Sequence, residues 1–353
     1  MVAPNSRVSG TRREGGGADY TSGRQGEEGR YAVGVDLGGT KIEAVLFDVE
    51  QAAVLERVRA GTPASDYHRT AGTIVRLVRG VTSGLPGGVS GVDRVGVCTP
   101  GTEYGPDRLV MNSNVRSLQG RPLRRDVRRM LGRAIEVRND ADCFALAEAR
   151  MGAGAGYGVV FGAVMGTGVG GGIVVDGEVY RGGTGTAGEW GHHTLHVGGN
   201  LCHCGRRGCA EAYLSGPALE RRWAELTRTR LGMPQIASVL ARDGKDGWKG
   251  DTDGGGGGGG GGEGMAPDGA CDDKIRIWLD EALENFGYAL ANVIDIVDPD
   301  VVVLGGGLSN VGMWYDRGAE SVRRKALSGA TRNVPILRNG LGDSAGAIGA
   351  CLV

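Results

Sequence analysis

The stretch YAVGVDLGGTKIEAVLFD, residues 31–48, decides how the chain is read, because its pattern returns as GVVFGAVMGTGVGGGIVVDGEVY at 158–180. Each stretch is a Val-rich apolar run, a Gly turn and a second apolar run, which is the pattern of a β-hairpin. Outward from the first hairpin, AVLERVR extends the sheet, and Tyr67–Thr82 carries Ile74, Leu77 and Val78 at helical spacing. DRVGVC (93–98) reads as a buried strand, Pro122–Leu131 as a basic helix, AIEVR (134–138) as a strand and Ala141–Arg150 as a helix. Beyond the second hairpin, helices are expected over Ser215–Thr229 and Lys274–Val297, a strand over Asp300–Leu304 and a small-residue helix over Ser344–Leu352. Strands alternating with helices imply an α/β fold, and the recurring hairpin implies two related halves.

Residues 1–30 are polar and read as a disordered tail. A small N-terminal domain is expected over 31–140, with the C-terminal helix 343–353 packed on it, and a larger domain over 141–342. Inside the larger domain, Asp243 to Asp273 holds nine consecutive glycines, Gly254–Gly262, among Asp, Lys and Pro. Such a tract buries too little apolar area to offset its ordering entropy, so it reads as a flexible insertion with no catalytic role.

The chain has 353 residues, with 40 Lys and Arg against 41 Asp and Glu, so its formal net charge is −1. That balance supplies no field to draw it onto nucleic acid or an anionic membrane. No apolar run is long enough to span a bilayer, and the first thirty residues hold no apolar signal region. Seven scattered cysteines in such a chain point to a reducing, cytoplasmic setting.

Five segments carry candidate chemistry. In Asp36-Leu37-Gly38-Gly39-Thr40-Lys41 the glycines admit phosphate oxygens close to the backbone, Thr40 and Lys41 add a hydroxyl and a cation, and Asp36 could hold Mg²⁺ through water. A Gly-Gly hairpin turn also needs no function at all. Gly166, Thr167, Gly168, Gly170, Gly171 and Gly172 form a denser cluster, for which close approach of a ligand is the expected reason. Gly305-Gly306-Gly307 follows the strand DVVVL, where a nucleotide would sit. Asn139-Asp140 ends a strand and opens a helix; the pair is either a cap or a carboxylate aimed into a cleft as a proton acceptor.

The fifth is Cys202-His203-Cys204 with Cys209, and four of the five histidines lie between 192 and 203. Three thiolates and one imidazole complete a closed tetrahedral zinc shell. Spacing leaves His192, His193, His196 and His203 all open as the fourth ligand.

Taken together, these segments resemble the ROK family of sugar kinases and related repressors, from Tyr31 to the C-terminus. DLGGTK looks like the family's first phosphate motif, GTGVGGG its second and LGGGLSN (304–310) its adenosine motif. NDADCFALAEA (139–149) is similar to the segment bearing the catalytic aspartate, here Asp140. GTAGEWGH (185–192) with CHCGRRGCAE (202–211) looks like the paired sugar and zinc signature.

The resemblance implies an actin-like (ribonuclease H-like) duplicated fold whose two domains close on sugar and ATP with Mg²⁺. It implies sugar contacts from Pro100, Gly101, Asn114, Asn139, Asp140, Glu189, His192 and Glu211, and zinc held by His192, Cys202, Cys204 and Cys209. Asp142 stands where the family usually has Asn, and the first thirty residues show no pattern of the repressors' winged helix. A small sugar and ATP are the expected partners, with a second copy of the chain as a candidate. The activity expected is 6-phosphorylation of a hexose. Fructose is favoured on RGGTGTAGEWGH and NSNVRSLQGRPL, then mannose, ahead of N-acetylglucosamine and glucose. A sugar sensor without turnover is the alternative of another class.

Overall fold

The computed structural model describes residues 29–242, 269–327, 329 and 331–353. Most of the expected tail and of the 243–273 insertion lies outside them. The first half runs β1 (Tyr31–Leu37), β2 (Lys41–Asp48), β3 (Ala53–Gly61), α1 (Tyr67–Val81), β4 (Arg94–Thr99), β5 (Thr102–Tyr104), β6 (Leu109–Met111), α2 (Leu123–Leu131), β7 (Glu136–Asn139) and α3 (Asp140–Met151). The second runs β8 (Val159–Met165), β9 (Val169–Val175), β10 (Glu178–Val179), α4 (Glu211–Leu214), α5 (Gly216–Thr227), α6 (Met233–Arg242), α7 (Gly269–Val297), β11 (Val301–Gly305), α8 (Arg317–Lys325), β12 (Ile336–Arg338) and α9 (Ala345–Cys351).

Two five-stranded sheets result, ordered β3-β2-β1-β4-β7 and β10-β9-β8-β11-β12. The pairings correspond strand for strand: two antiparallel, then two parallel. This is a duplicated, actin-like α/β fold. The central strands are buried on both faces, as parallel strands between helices must be, hence their continuous Val, Ile and Ala runs. Val33, Val35 and Leu37 pack toward α1, whereas Ala32, Val45 and Phe47 face α9.

The closing helices are exchanged between the halves. α3, which follows sheet one, packs on β8 and β9, and α9, which follows sheet two, packs on β1 and β4. Glycines admit both helices. A side chain at Gly34 or Gly96 would collide with the carbonyls of Ala347 or Ala350, and one at Gly162 or Gly172 would collide with α3. The two helices touch where Gly349 meets the Cys143 carbonyl. Glu148, wholly buried near the end of α3, accepts backbone N–H bonds from Ala153 (2.8 Å), Gly340 (2.9 Å) and Leu341 (2.9 Å), and so ties α3 to the entry of α9.

Helix α7 begins at Gly269, inside the segment expected to be insertion, ahead of Ile275, a buried anchor of the helix. The β5–β6 hairpin, α6, α8 and β12 were not expected from the sequence. Each is short, and α8 has only four buried residues, Gly318, Ala319, Ser321 and Val322, among charged ones.

Candidate active site

The cleft between the sheets is built from strand ends. β1 delivers Asp36, and the turn after it is tied by Gly38 N–H to the Lys41 carbonyl at 2.9 Å and by the Thr62 hydroxyl to the Gly38 carbonyl at 2.8 Å. Asp36 accepts a bond from the Cys98 thiol (3.2 Å), and its carboxyl is pushed above the usual range, first by burial. Lys41 lies 3.8 Å from Glu43, a buried carboxylate that also faces Arg57 and Arg59 and accepts the Ser344 hydroxyl at 2.8 Å. The first phosphate turn is thereby linked to the start of α9.

β7 delivers Asn139 and Asp140. Asn139 Oδ1 caps α3 through Ala141 N–H (2.9 Å) and Asp142 N–H (3.2 Å), while its amide donates to the Gly101 carbonyl (3.2 Å). The cap is therefore Asn139, which leaves Asp140 available for chemistry. Asp140 is exposed at the cleft, yet the enclosing protein, then Asp36, then Glu189 raise its carboxyl to about 7, opposed by the Ala141 N–H. A carboxylate poised near neutrality suits proton transfer from a hydroxyl. Gly101 has φ +90 and its α-carbon abuts the Met111 carbonyl, so only glycine fits there, next to buried Pro100. Asn114 is exposed on the loop after β6.

The opposite wall is the 189–211 loop. Glu211 joins the sugar and phosphate parts: one oxygen accepts Val169 N–H (2.9 Å), and the other meets His203 Nδ1 (2.5 Å) and the Cys202 thiol (3.5 Å). A side chain at Gly168 would lie 2.9 Å from the Glu211 carboxylate. Glu189 is raised by burial first and Glu211 second. Trp190 is buried edge-on to Phe161 and donates to the Gly170 carbonyl (2.6 Å), so it fills core.

Behind this wall, ligand atoms of His192, Cys202, Cys204 and Cys209 all lie within 4.8 Å of one another. The Cys204–Cys209 sulfur separation and the Cys202 Sγ–His192 Nδ1 separation are both 3.7 Å. With zinc–sulfur bonds of about 2.3 Å, a tetrahedron has edges of about 3.8 Å, so the donors fit the ion. His203 turns to Glu211, and His193 and His196 bond to the Trp190 carbonyl (2.6 Å) and Asn285 (2.7 Å). Burial lowers the His192 pKa, which favours the neutral imidazole that a metal requires.

A cavity of about 740 Å³, where the nucleotide was expected, is lined by Gly166, Thr167, Gly216, Met233, Gly307 and Leu308, among others. Here the second phosphate turn meets the loop after β11. Not every expected phosphate glycine faces it. Gly305 makes room for the Phe144 ring, and Gly171 and Gly172 receive Trp190 and α3. At these three positions packing by itself calls for glycine. Gly170 also sits beside α3, 3.5 Å from Ala141 Cβ at its own Cβ position. Sequence reasoning missed Glu43, Cys98 and Glu148, whose side-chain contacts reach as far as 301 residues along the chain, and it missed Arg181.

A duplicated fold with an aspartate poised near neutrality, two glycine-rich turns and a cavity of about 740 Å³ is that of a sugar kinase of the actin-like class. The ROK family model matches residues 32–250 and 267–353, and the chain belongs to that family. It is 34% identical over 334 residues to an N-acetyl-D-glucosamine kinase of Photobacterium profundum, covering 91% of this chain and 98% of the relative. It is 32% identical to an N-acetylgalactosamine kinase of a Shewanella species, covering 79% and 82%. The crystal structure of a Streptomyces griseus ROK glucokinase with glucose and AMPPNP superposes with a TM-score of 0.69 at 29% identity, covering 91% and 98%. These relatives give the fructose expectation no support. Among the described residues no helix is long and apolar enough to cross a membrane.

Proposed function

We propose that the chain transfers the γ-phosphoryl group of ATP to the 6-hydroxyl of a 2-acetamido hexose, N-acetylglucosamine first. The observation that carries this is the similarity, over nearly the whole chain, to kinases named for N-acetylated hexosamines. Asp140 accepts the proton of the attacking hydroxyl, which keeps the oxygen nucleophilic as the phosphoryl group departs from ADP. Glu189, His192 and Glu211 on one wall, with Asn114 and Asn139 on the other, accept and donate to the ring hydroxyls. Pro100 and Gly101 shape the floor. The turns Gly38–Lys41 and Gly166–Gly168 cradle phosphates, Gly306 and Gly307 border the adenosine cavity, and Asp36 would hold, through water, the Mg²⁺ that accompanies ATP.

His192, Cys202, Cys204 and Cys209 would hold a structural zinc ion that supplies no bond-making chemistry and fixes the loop bearing Glu211. Val169 N–H on Glu211 then relays that rigidity to the phosphate turn. ADP release measured with N-acetylglucosamine, N-acetylgalactosamine, glucose and fructose tests the reading. The expected order puts an acetamido sugar first; fructose ahead by tenfold in kcat/KM would sink it.

A further inference from the structure

Arg181 carries an unused set of donors beside the cleft. An arginine has five N–H donors and no acceptor, and leaving them without partners in a protein wall is costly. The Arg181 guanidinium makes no hydrogen bond or ion pair with any described residue, and its Nε is buried. It borders a cavity of about 380 Å³ between the β5–β6 turn of one lobe and residues 181–185 of the other. That cavity adjoins the sugar site. A side chain at Gly185 would meet both Thr102 and the Arg181 guanidinium at 3.3 Å, and Thr102 follows Gly101, whose carbonyl holds Asn139.

The second member is Asp142, in the first turn of α3 and 5% exposed. Its carboxylate accepts no hydrogen bond from a described residue, yet it feels Arg181, Glu189 and Asp140 electrostatically. Thus a pure donor and an acceptor stand near each other without pairing. A group that satisfies both must accept at one edge and donate at the other. A secondary amide does this across its width, carbonyl oxygen to guanidinium and N–H to carboxylate. A single hydroxyl oxygen can do both but is one atom wide.

We infer that Arg181 and Asp142 form the subsite for the amide substituent of the sugar, and so determine preference for acetamido over unsubstituted hexoses. The inference rests on the acetamido-sugar reading above and assigns it to two residues that nothing else in the site requires. A hydrogen bond to a charged group that one substrate makes and its competitor lacks discriminates by about tenfold or more.

The test is the ratio of kcat/KM for N-acetylglucosamine to that for glucose in wild type, Arg181→Met, Arg181→Lys and Asp142→Asn, with melting curves to confirm folding. Arg181→Met should lower the ratio at least tenfold, mainly through KM for N-acetylglucosamine. Arg181→Lys should recover part of it, and Asp142→Asn, which keeps an acceptor, should lower it less. A wild-type ratio above one that survives Arg181→Met within twofold overturns this inference and leaves the proposed activity standing. A wild type that prefers glucose tenfold overturns both.

Discussion

The two halves share one strand order, yet their closing helices do unlike work. α3 begins with Asp140 and Asp142 at the cleft, whereas α9 begins after Ser344, whose hydroxyl is spent on Glu43. Both helices lie on glycines of the opposite sheet, and Glu148 ties one to the entry of the other. The difference teaches where chemistry was added to a symmetric frame. The duplicated part supplies the glycine seats on which the two helices pack, and one helix N-terminus carries the carboxylates.

The sharpest way to break that comparison is Asp140→Asn. If α3 is the chemical helix, turnover should fall by about 10²–10⁴, the range for general base catalysis, with fold and sugar binding kept. A variant that retains a tenth of normal kcat would reduce Asp140 to a second cap beside Asn139, and the helices would then differ only in packing.

Next in size is the wall that faces α3. Cys209→Ser or Cys204→Ser should release one zinc per chain and weaken sugar binding by about 10–100-fold, since Glu211 loses its support. Elemental analysis that finds no zinc in active protein would end the claim.

The helix seats are tested by their glycines. Gly34→Ala and Gly162→Ala place a methyl group against α9 and α3 and should each cost about 1–3 kcal/mol or more by denaturant unfolding. Gly307→Ala meets nothing within 4 Å and should leave stability unchanged, whatever it does to ATP binding. Equal losses at all three would show that the helix seats are not tighter than the nucleotide loop.

What was legible in the sequence was local. The hairpins show as short apolar runs around glycines, the Cys/His cluster as close spacing, and Asn139-Asp140 as a strand end that starts a helix. What was hidden depends on partners far along the chain. Glu148 reaches Gly340 across 192 residues and Ser344 reaches Glu43 across 301, and no periodicity marks either. The glycines of β9 are an instructive misreading. A strand rich in glycine signals a close approach, but the approaching body at Gly171 and Gly172 is Trp190 and α3, which the sequence could not place there.

The smallest expected effect concerns the second carboxylate of α3. Burial, opposed by Arg181 and reinforced by Glu189 and Asp140, raises the Asp142 carboxyl to about 7, against about 3.9 in an unfolded chain. A folded pKa above the unfolded one means that the native state holds the proton more tightly. The resulting stabilisation is complete below about pH 4 and is lost as pH rises through about 7. At pH 8 the native chain therefore bears a buried charge that Asn would not carry. Asp142→Asn should raise the melting temperature by a few degrees at pH 8, and the gain should shrink toward pH 5 as Asp142 takes up its proton in the folded state. No comparable pH-dependent gain should follow Ser344→Ala at α9, where the lost group is a neutral hydroxyl. Coincident melting curves for wild type and Asp142→Asn at pH 8 would mean that Arg181 already offsets the charge. The asymmetry between the helices would then rest on Asp140 alone.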